Sequence, residues 1–290
     1  MQLPSQLEHL GRSLLGRNFS KDAVFVMLQQ HTAYYDEAGG ADMGFTFVCG
    51  YCATVAQWES FEVDWKLFLI KFGVPYLHMK EFAQSNKCYA AWKGNEPLRA
   101  RFLGTAAEII ASHASRAFSV SVSHECFDKV NLKYKVRETF SSPYALAGRT
   151  CIAIANKFIH GAKTEPPPIE HIFDDGGPDK GGLINSLQAM MPYLPAPSFK
   201  PSRDVKPCRQ WPDGRMGLVQ LQAADYLAYE LGKLLREIRF NKGRPVRKSL
   251  LALNGVRLDK SSFTEDRLTK MFIGAEAVSP GQFKRGVNGE

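Results

Sequence analysis

The chain has 290 residues, 44% of them hydrophobic, with 37 Lys and Arg against 29 Asp and Glu for a formal net charge of +8. That size and apolar content exclude a chain disordered throughout and fit one large domain or two small ones. Six cysteines spread over such a length exclude a disulfide scaffold, and no apolar run reaches the roughly 18–20 residues that span a bilayer. The stretch Leu7–Leu15 is broken by Glu8, His9, Gly11 and Arg12, so no signal peptide is expected. These features predict a cytoplasmic protein with reduced thiols and no membrane partner. The positive excess points to an anionic partner, nucleic acid first, with a merely solvated basic surface as the plain alternative.

Residues 1–22 read as an N-terminal arm or short helix, with Leu7, Leu10, Leu14 and Leu15 at helical spacing. Residues 23–36 read as a strand that ends in the carboxylates Asp36 and Glu37. A link from Ala38 to Gly44 with three glycines leads into a second strand, Phe45–Val55, and suggests an antiparallel hairpin. Trp58–Phe72 has helical period and stops at Gly73 and Pro75. A short mixed segment, Tyr76–Phe82, and a loop precede a helix over Pro97–His113, with Pro97 in the first turn. Ala117–Ser123 alternates as a strand with one buried face. Ser142–Ile159 reads as a buried helix, and Glu165–Pro168 as a stiff linker. Ile169–Gly177 is another strand ending in carboxylates and glycines, followed by a helix over Leu183–Met191. An irregular stretch, Phe199–Trp211, leads to the longest clean helix, Leu218–Ile238. A capping box, Ser262-x-x-Glu265, predicts a last helix to Phe272, and the tail 278–290 reads as disordered. The order predicts an α/β fold, one mixed sheet flanked by helices, with a main domain over 23–250 and a C-terminal helical extension over 251–277.

Carboxylates carry the clearest chemical signal. Asp36 and Glu37, then Asp174 and Asp175, stand at strand ends before glycines, and Asp225 interrupts the buried stripe of a helix. Asp is a poor residue for a helix interior. A partly buried Asp is costly unless a cation or donor neutralises it. Converging carboxylates would raise one another's pKa, a cost that Mg²⁺ or Mn²⁺ with their preference for oxygen ligands would remove. Two such ions could hold both oxygens of a phosphodiester displacement. The plain reading is that these are ordinary turn acids. Neighbours on a strand face opposite ways, which favours Asp36 over Glu37 and Asp174 over Asp175 as ligands.

His78 and Glu81 at i, i+3 could supply a proton carrier and a further carboxylate if the segment is helical; otherwise they belong to a surface turn. Cys49 and Cys52 lie inside a strand, where i and i+3 face opposite sides, so they read as core thiols and not as a redox pair. The run Gly176–Gly182 lacks the order of a phosphate loop and reads as a flexible turn, though Lys180 could touch a phosphate. Arg236, Arg239, Lys242, Arg244, Arg247 and Lys248 could track a nucleic-acid backbone or simply solvate a helix end.

Four segments taken together, Tyr35-Asp36-Glu37-Ala38-Gly39, Leu77-His78, Phe173-Asp174-Asp175-Gly176 and Leu221-Gln222-Ala223-Ala224-Asp225-Tyr226-Leu227-Ala228, resemble domain-of-unknown-function family 3800. The resemblance spans roughly Ala23 to Arg236. It implies a ribonuclease H-like fold with Asp36, Asp174 and Asp225 as an acidic core and Glu37 and His78 beside it. Ala38 stands where the family has Ser. A further acidic ligand has no single match, with Glu59, Glu62 and Glu81 all candidates. The expected activity is metal-dependent hydrolysis of RNA or DNA, with Lys80 and the Arg236–Lys248 cluster on phosphates. The competing expectations are a non-catalytic module that binds nucleic acid or protein, and a small-molecule hydrolase with a closed pocket.

Overall fold

The computed structural model describes residues 30–161, 169–204, 215–240 and 243–285. The expectations for the arm at 1–22, the strand's first part at 23–29, the linker at 165–168 and the last five residues lie outside these. Six strands form one mixed sheet. β1 (His31–Gly40) pairs antiparallel with β2 (Phe45–Thr54), and β2 antiparallel with β3 (Arg116–Ser123). On the other side β1 pairs parallel with β4 (Ile169–Asp174), and β4 parallel with β5 (Ser198–Lys200). β6 (Arg203–Asp204) and β7 (Arg215–Met216) form a small separate ladder, and β8 (Leu258–Phe263) pairs parallel with β3. The order across the main sheet is β5-β4-β1-β2-β3-β8.

The helices are α1 (Val55–Phe72), α2 (Met79–Gln84), α3 (Glu96–His113), α4 (His124–Asn131) and α5 (Val136–Phe140). They continue with α6 (Pro143–His160), α7 (Lys180–Met190), α8 (Val219–Arg239), α9 (Lys248–Ala252) and α10 (Glu265–Val278). Local chemistry accounts for their ends. Thr54 and Gln57 form a capping box on α1, which stops at Gly73 in the left-handed region (φ 68°). Ser142 caps α6 through Ala145 N, with Pro143 in the first turn.

The two-residue period of the strands divides the core. Tyr34, Phe47, Cys49 and Tyr51 face α1, α3 and α8, where Trp58, Phe61, Trp65 and Phe102 make an aromatic layer. Tyr35, Val48 and Cys52 face α6, α7 and α10. Each fully buried large side chain contributes about 1.5–3 kcal/mol. Cys49 and Cys52 are free and buried on opposite faces, as their spacing requires.

Several elements differ from expectation. β1 does not stop at Glu37: it runs to Gly40 because β2 pairs with it along all ten positions. Gly39 bends the end at φ 112°, where a side chain would collide with the Phe45 carbonyl. The region 251–277 includes the edge strand β8, and Ser262 lies within it. The cap of α10 is Thr264, which accepts from Arg267 N. Beyond Val278 the chain returns to the body, with Arg285 N bonded to the Lys133 carbonyl and Lys135 N to the Phe283 carbonyl. Among the described residues no helix is long and apolar enough to cross a membrane.

Candidate functional site

β1 and β4 run side by side only as far as Tyr35 and Phe173, whose rings stack 4.6 Å apart. Beyond that pair β1 continues along β2, while Asp174 turns toward β5. A crevice opens outside the carboxyl ends of the two parallel strands, the usual place for a site in an open α/β sheet. It is a cleft of about 840 Å³. Asp36, Glu37, His78, Asp174 and Asp225 all line it. Opposite signs are supplied by Lys80, Arg203, Lys233 and Arg236.

α8 crosses over β1 and fixes one wall. Gln222 is fully buried on it. Its Oε1 accepts from Leu77 N and from Trp65 Nε1, each at 2.9 Å, and its Nε2 donates to the Ser202 carbonyl at 3.0 Å. One turn later Asp225 Oδ2 accepts from Met79 N at 2.7 Å. His78 precedes α2 in extended backbone and offers no side-chain cap, so Asp225 satisfies a first-turn N–H of α2 from outside. The Leu77-His78 segment and the Leu221–Ala228 segment, far apart in sequence, are thus tied by hydrogen bonds.

The other two carboxylates are also held by backbone donors. Asp174 Oδ1 accepts from Ser202 N and its Oδ2 from Gly176 N, both at 3.1 Å. Asp36 Oδ1 accepts from Glu37 N at 2.8 Å. Glu37 points to the opposite face, where Tyr144 lies; among the described residues its Oε2 is buried without a hydrogen-bond partner, as is the Tyr144 hydroxyl. Burial, then Asp225, Glu37 and Asp174, push the Asp36 carboxyl well above the usual range. Burial and Asp174 raise Glu37 to about 7. Asp225 is raised to about 7, by burial first and with Asp174 adding. Burial and the nearby Arg203 lower His78 to about 4, so the imidazole is neutral at pH 7. Burial and the same carboxylates keep the Tyr144 hydroxyl protonated.

Not every candidate joins this group. Glu81 is buried and turned to other partners: Arg203 Nη1 at 2.5 Å, Lys87 Nζ at 3.0 Å and the Tyr76 hydroxyl at 2.9 Å. Burial works against its charge, but those donors prevail and bring it to about 2. Asp175 is exposed and does not line the cleft. Glu62 on α1 is bonded to Lys66 on the same helix and to Gln220 on α8, and neither it nor Glu59 lines the cleft. Lys180 begins α7 over the Phe199 ring and acts on Glu37 from there. The basic cluster divides. Arg236 reaches the cleft, Arg239 covers Gly44, Arg244 approaches Glu237, and Arg247 pairs with buried Glu230 at 2.8 Å. Lys242 lies outside the described residues.

Arg203, Gln222, Lys233 and Tyr144 were not among the expected site residues. Gln222 shares a helical face with Asp225, a spacing that could have marked it; Arg203 sits in an irregular stretch with no such signal. Among the described residues no group of three or more His, Cys, Asp and Glu is gathered closely enough to hold a metal ion. The donors nevertheless suit a hard dication in kind: they are carboxylate oxygens, one of them is an orphaned acceptor, and their charges oppose one another. Comparison with protein-family models, curated proteins and solved structures gave no match to this chain.

Proposed function

We propose that the cleft is the active site of a metal-dependent nuclease that hydrolyses phosphodiester bonds in RNA or DNA. One observation carries this reading. Carboxylates from β1, from the end of β4 and from α8 converge on one open cleft, and among the described residues none of them has a salt-bridge partner. The position of β1 inside the sheet, antiparallel to β2 and parallel to β4, supports a ribonuclease H-like architecture. The meeting of all four resemblance segments at this cleft supports kinship with family 3800.

Asp36, Asp174 and Asp225 would hold Mg²⁺ or Mn²⁺, with Glu37 beside them. One ion or a pair, when bound, supplies charge neutralisation, polarisation of the phosphate and a more acidic water. His78 faces the cleft as a neutral imidazole, a weak base at about 4 that would relay a proton only when a bound phosphate or the loss of Arg203's influence raised it. Lys80, Lys233 and Arg236 draw in the phosphates. Glu81 stays with Arg203 and is not a ligand in this scheme.

Cleavage of labelled RNA or DNA is expected to require Mg²⁺ or Mn²⁺ and to drop by on the order of 10²-fold or more in Asp36→Asn and in Asp225→Asn. Unchanged cleavage in both variants would overturn the assignment. The second reading, a non-catalytic module for nucleic acid or protein, draws on the backbone donors that already engage Asp36, Asp174 and Asp225. It predicts nucleic-acid binding with no Mn²⁺ binding at millimolar concentration in calorimetry.

A further inference from the structure

Gln222 is fully buried on α8, one turn before Asp225. Its Oε1 accepts from Leu77 N and Trp65 Nε1, both at 2.9 Å, and its Nε2 donates to the Ser202 carbonyl at 3.0 Å. Two N–H donors on one atom and a carbonyl against the other fix which way the amide points. None of the three partners belongs to α8: Trp65 is on α1, Leu77 precedes α2, and Ser202 lies between β5 and β6. Both backbone partners stand beside a donor to a cleft carboxylate. The carbonyl of Ser202 accepts from Gln222, and the N–H of Ser202 donates to Asp174 Oδ1 at 3.1 Å. Two residues after Leu77, Met79 N donates to Asp225 Oδ2 at 2.7 Å, with His78 between. A chain of hydrogen bonds therefore runs from Asp174 through Ser202 and Gln222 to Leu77, and the bond from Met79 to Asp225 returns it to α8. A carboxylate in place of the amide would accept from Leu77 but could not donate to Ser202. Leaving a buried amide unpaired is costly, so the partners are held together and the walls they carry with them.

We propose that Gln222 is a positioning residue, whose amide clamps the Ser202 carbonyl to Leu77 N and so sets Asp174 and His78 in place relative to Asp225. The clamp rests on the hydrogen bonds; its consequence for metal binding and cleavage rests on the nuclease reading.

Three variants test it. Gln222→Met keeps the length of the side chain and removes all three bonds. Trp65→Phe removes the indole bond alone and is the packing control. In amide exchange on the metal-free protein, Ser202 and Met79 are expected to exchange about ten-fold faster in Gln222→Met, after allowance for the shift in urea midpoint, and at the parent rate in Trp65→Phe. Unchanged exchange in Gln222→Met, or equal acceleration in both variants, would overturn the proposal. Should Gln222→Met not fold, Gln222→Glu keeps both acceptor roles and loses the donor. Ser202 should then exchange faster and Met79 should not; no acceleration of Ser202 would overturn the proposal as well. Mn²⁺ affinity, read by calorimetry, is expected to fall about ten-fold in Gln222→Met, with kcat falling alike and KM little changed. A merely structural glutamine would lower the urea midpoint and leave both amides and Mn²⁺ affinity as in the parent. Faster exchange of both amides, in a protein whose parent neither binds Mn²⁺ nor cleaves nucleic acid, would uphold the clamp and sink the nuclease reading.

Discussion

Glu81 and Asp225 stand close together and are treated in opposite ways. Glu81 receives Arg203, Lys87 and the Tyr76 hydroxyl, and its carboxyl falls to about 2. Asp225 receives one backbone N–H, from Met79, and rises to about 7. Asp36 and Glu37 share its fate. The chain therefore has the means to neutralise a carboxylate here and spends them on Glu81. That carboxylate anchors the Arg203 wall. The cleft acids receive no counter-charge and so hold protons to higher pH at some cost in stability, an arrangement that would suit a site meeting a cation from solution.

Substituting one member from each environment should give effects of opposite sign. Asp225→Asn keeps an acceptor for Met79 N and removes a charge. It is expected to abolish metal-dependent cleavage while stabilising the metal-free protein, by about 2 kcal/mol after allowance for solvent in the cleft. Glu81→Gln leaves Arg203 and Lys87 without their counter-charge and should destabilise by about 2 kcal/mol in urea titrations. If Asp225→Asn were the destabilising variant and Glu81→Gln neutral, the contrast would collapse.

The same contrast fixes the sign of the pH dependence. Asp225 and Glu37, at about 7 when folded against ordinary values of 3.8 and 4.5, make the folded metal-free protein bind more protons than the unfolded chain between about pH 4 and 7. Stability is therefore lost as pH rises through that window. His78, at about 4 against 6.5, acts the other way but is one group against several. Glu81 adds stability above its ordinary 4.5 that disappears as pH falls toward 2. Urea midpoints should peak near pH 5 and decline toward pH 8, and Mg²⁺ or Mn²⁺ should flatten the decline. A midpoint rising steadily from pH 5 to 8 in metal-free buffer would contradict the raised carboxylates.

Much of this was legible in the residues, for reasons that also mark where legibility stops. α1, α3 and α6 combine helical periodicity with caps or breakers at one end or both, α8 shows its apolar stripe without a side-chain cap, and the structure follows all four. The two-residue period separated Asp36 from Glu37 correctly, because Asp36 shares its face with Tyr34 and Glu37 with Tyr35. β8 was missed because Leu258-Asp259-Lys260-Ser261-Ser262-Phe263 is polar where an edge strand meets solvent, so alternation does not show. Spacing beside His78 makes Glu81 a candidate ligand on sequence alone. Only the tertiary approach of Arg203, 122 positions away, shows that its charge is already engaged. Tyr144 carries no sequence signal, since its approach to Glu37 depends on a turn folded from Gly176 and Gly177.

The smallest expected effect concerns the other wall of the cleft. Lys233 and Arg236 lie on the last turns of α8, past Asp225, with Arg236 exposed and Lys233 over the Tyr229 ring at 5.2 Å. They line the cleft beyond the carboxylates, so under the nuclease reading they would meet phosphates flanking the scissile one without touching the reacting atoms. Lys233→Ala and Arg236→Ala should then raise KM several-fold and leave kcat close to the parent value. A cation that neutralises one phosphate also releases counter-ions, and its loss should reduce the salt dependence of nucleic-acid binding by about one unit in the log–log slope. The Arg247→Ala change is the internal control: its guanidinium is committed to Glu230, so it should cost stability and leave the salt slope unchanged. If Arg247 governed the slope and Arg236 did not, nucleic acid would run along the outer end of α8 and away from the acidic cleft. The proximity of basic wall and carboxylates would then have no bearing on catalysis.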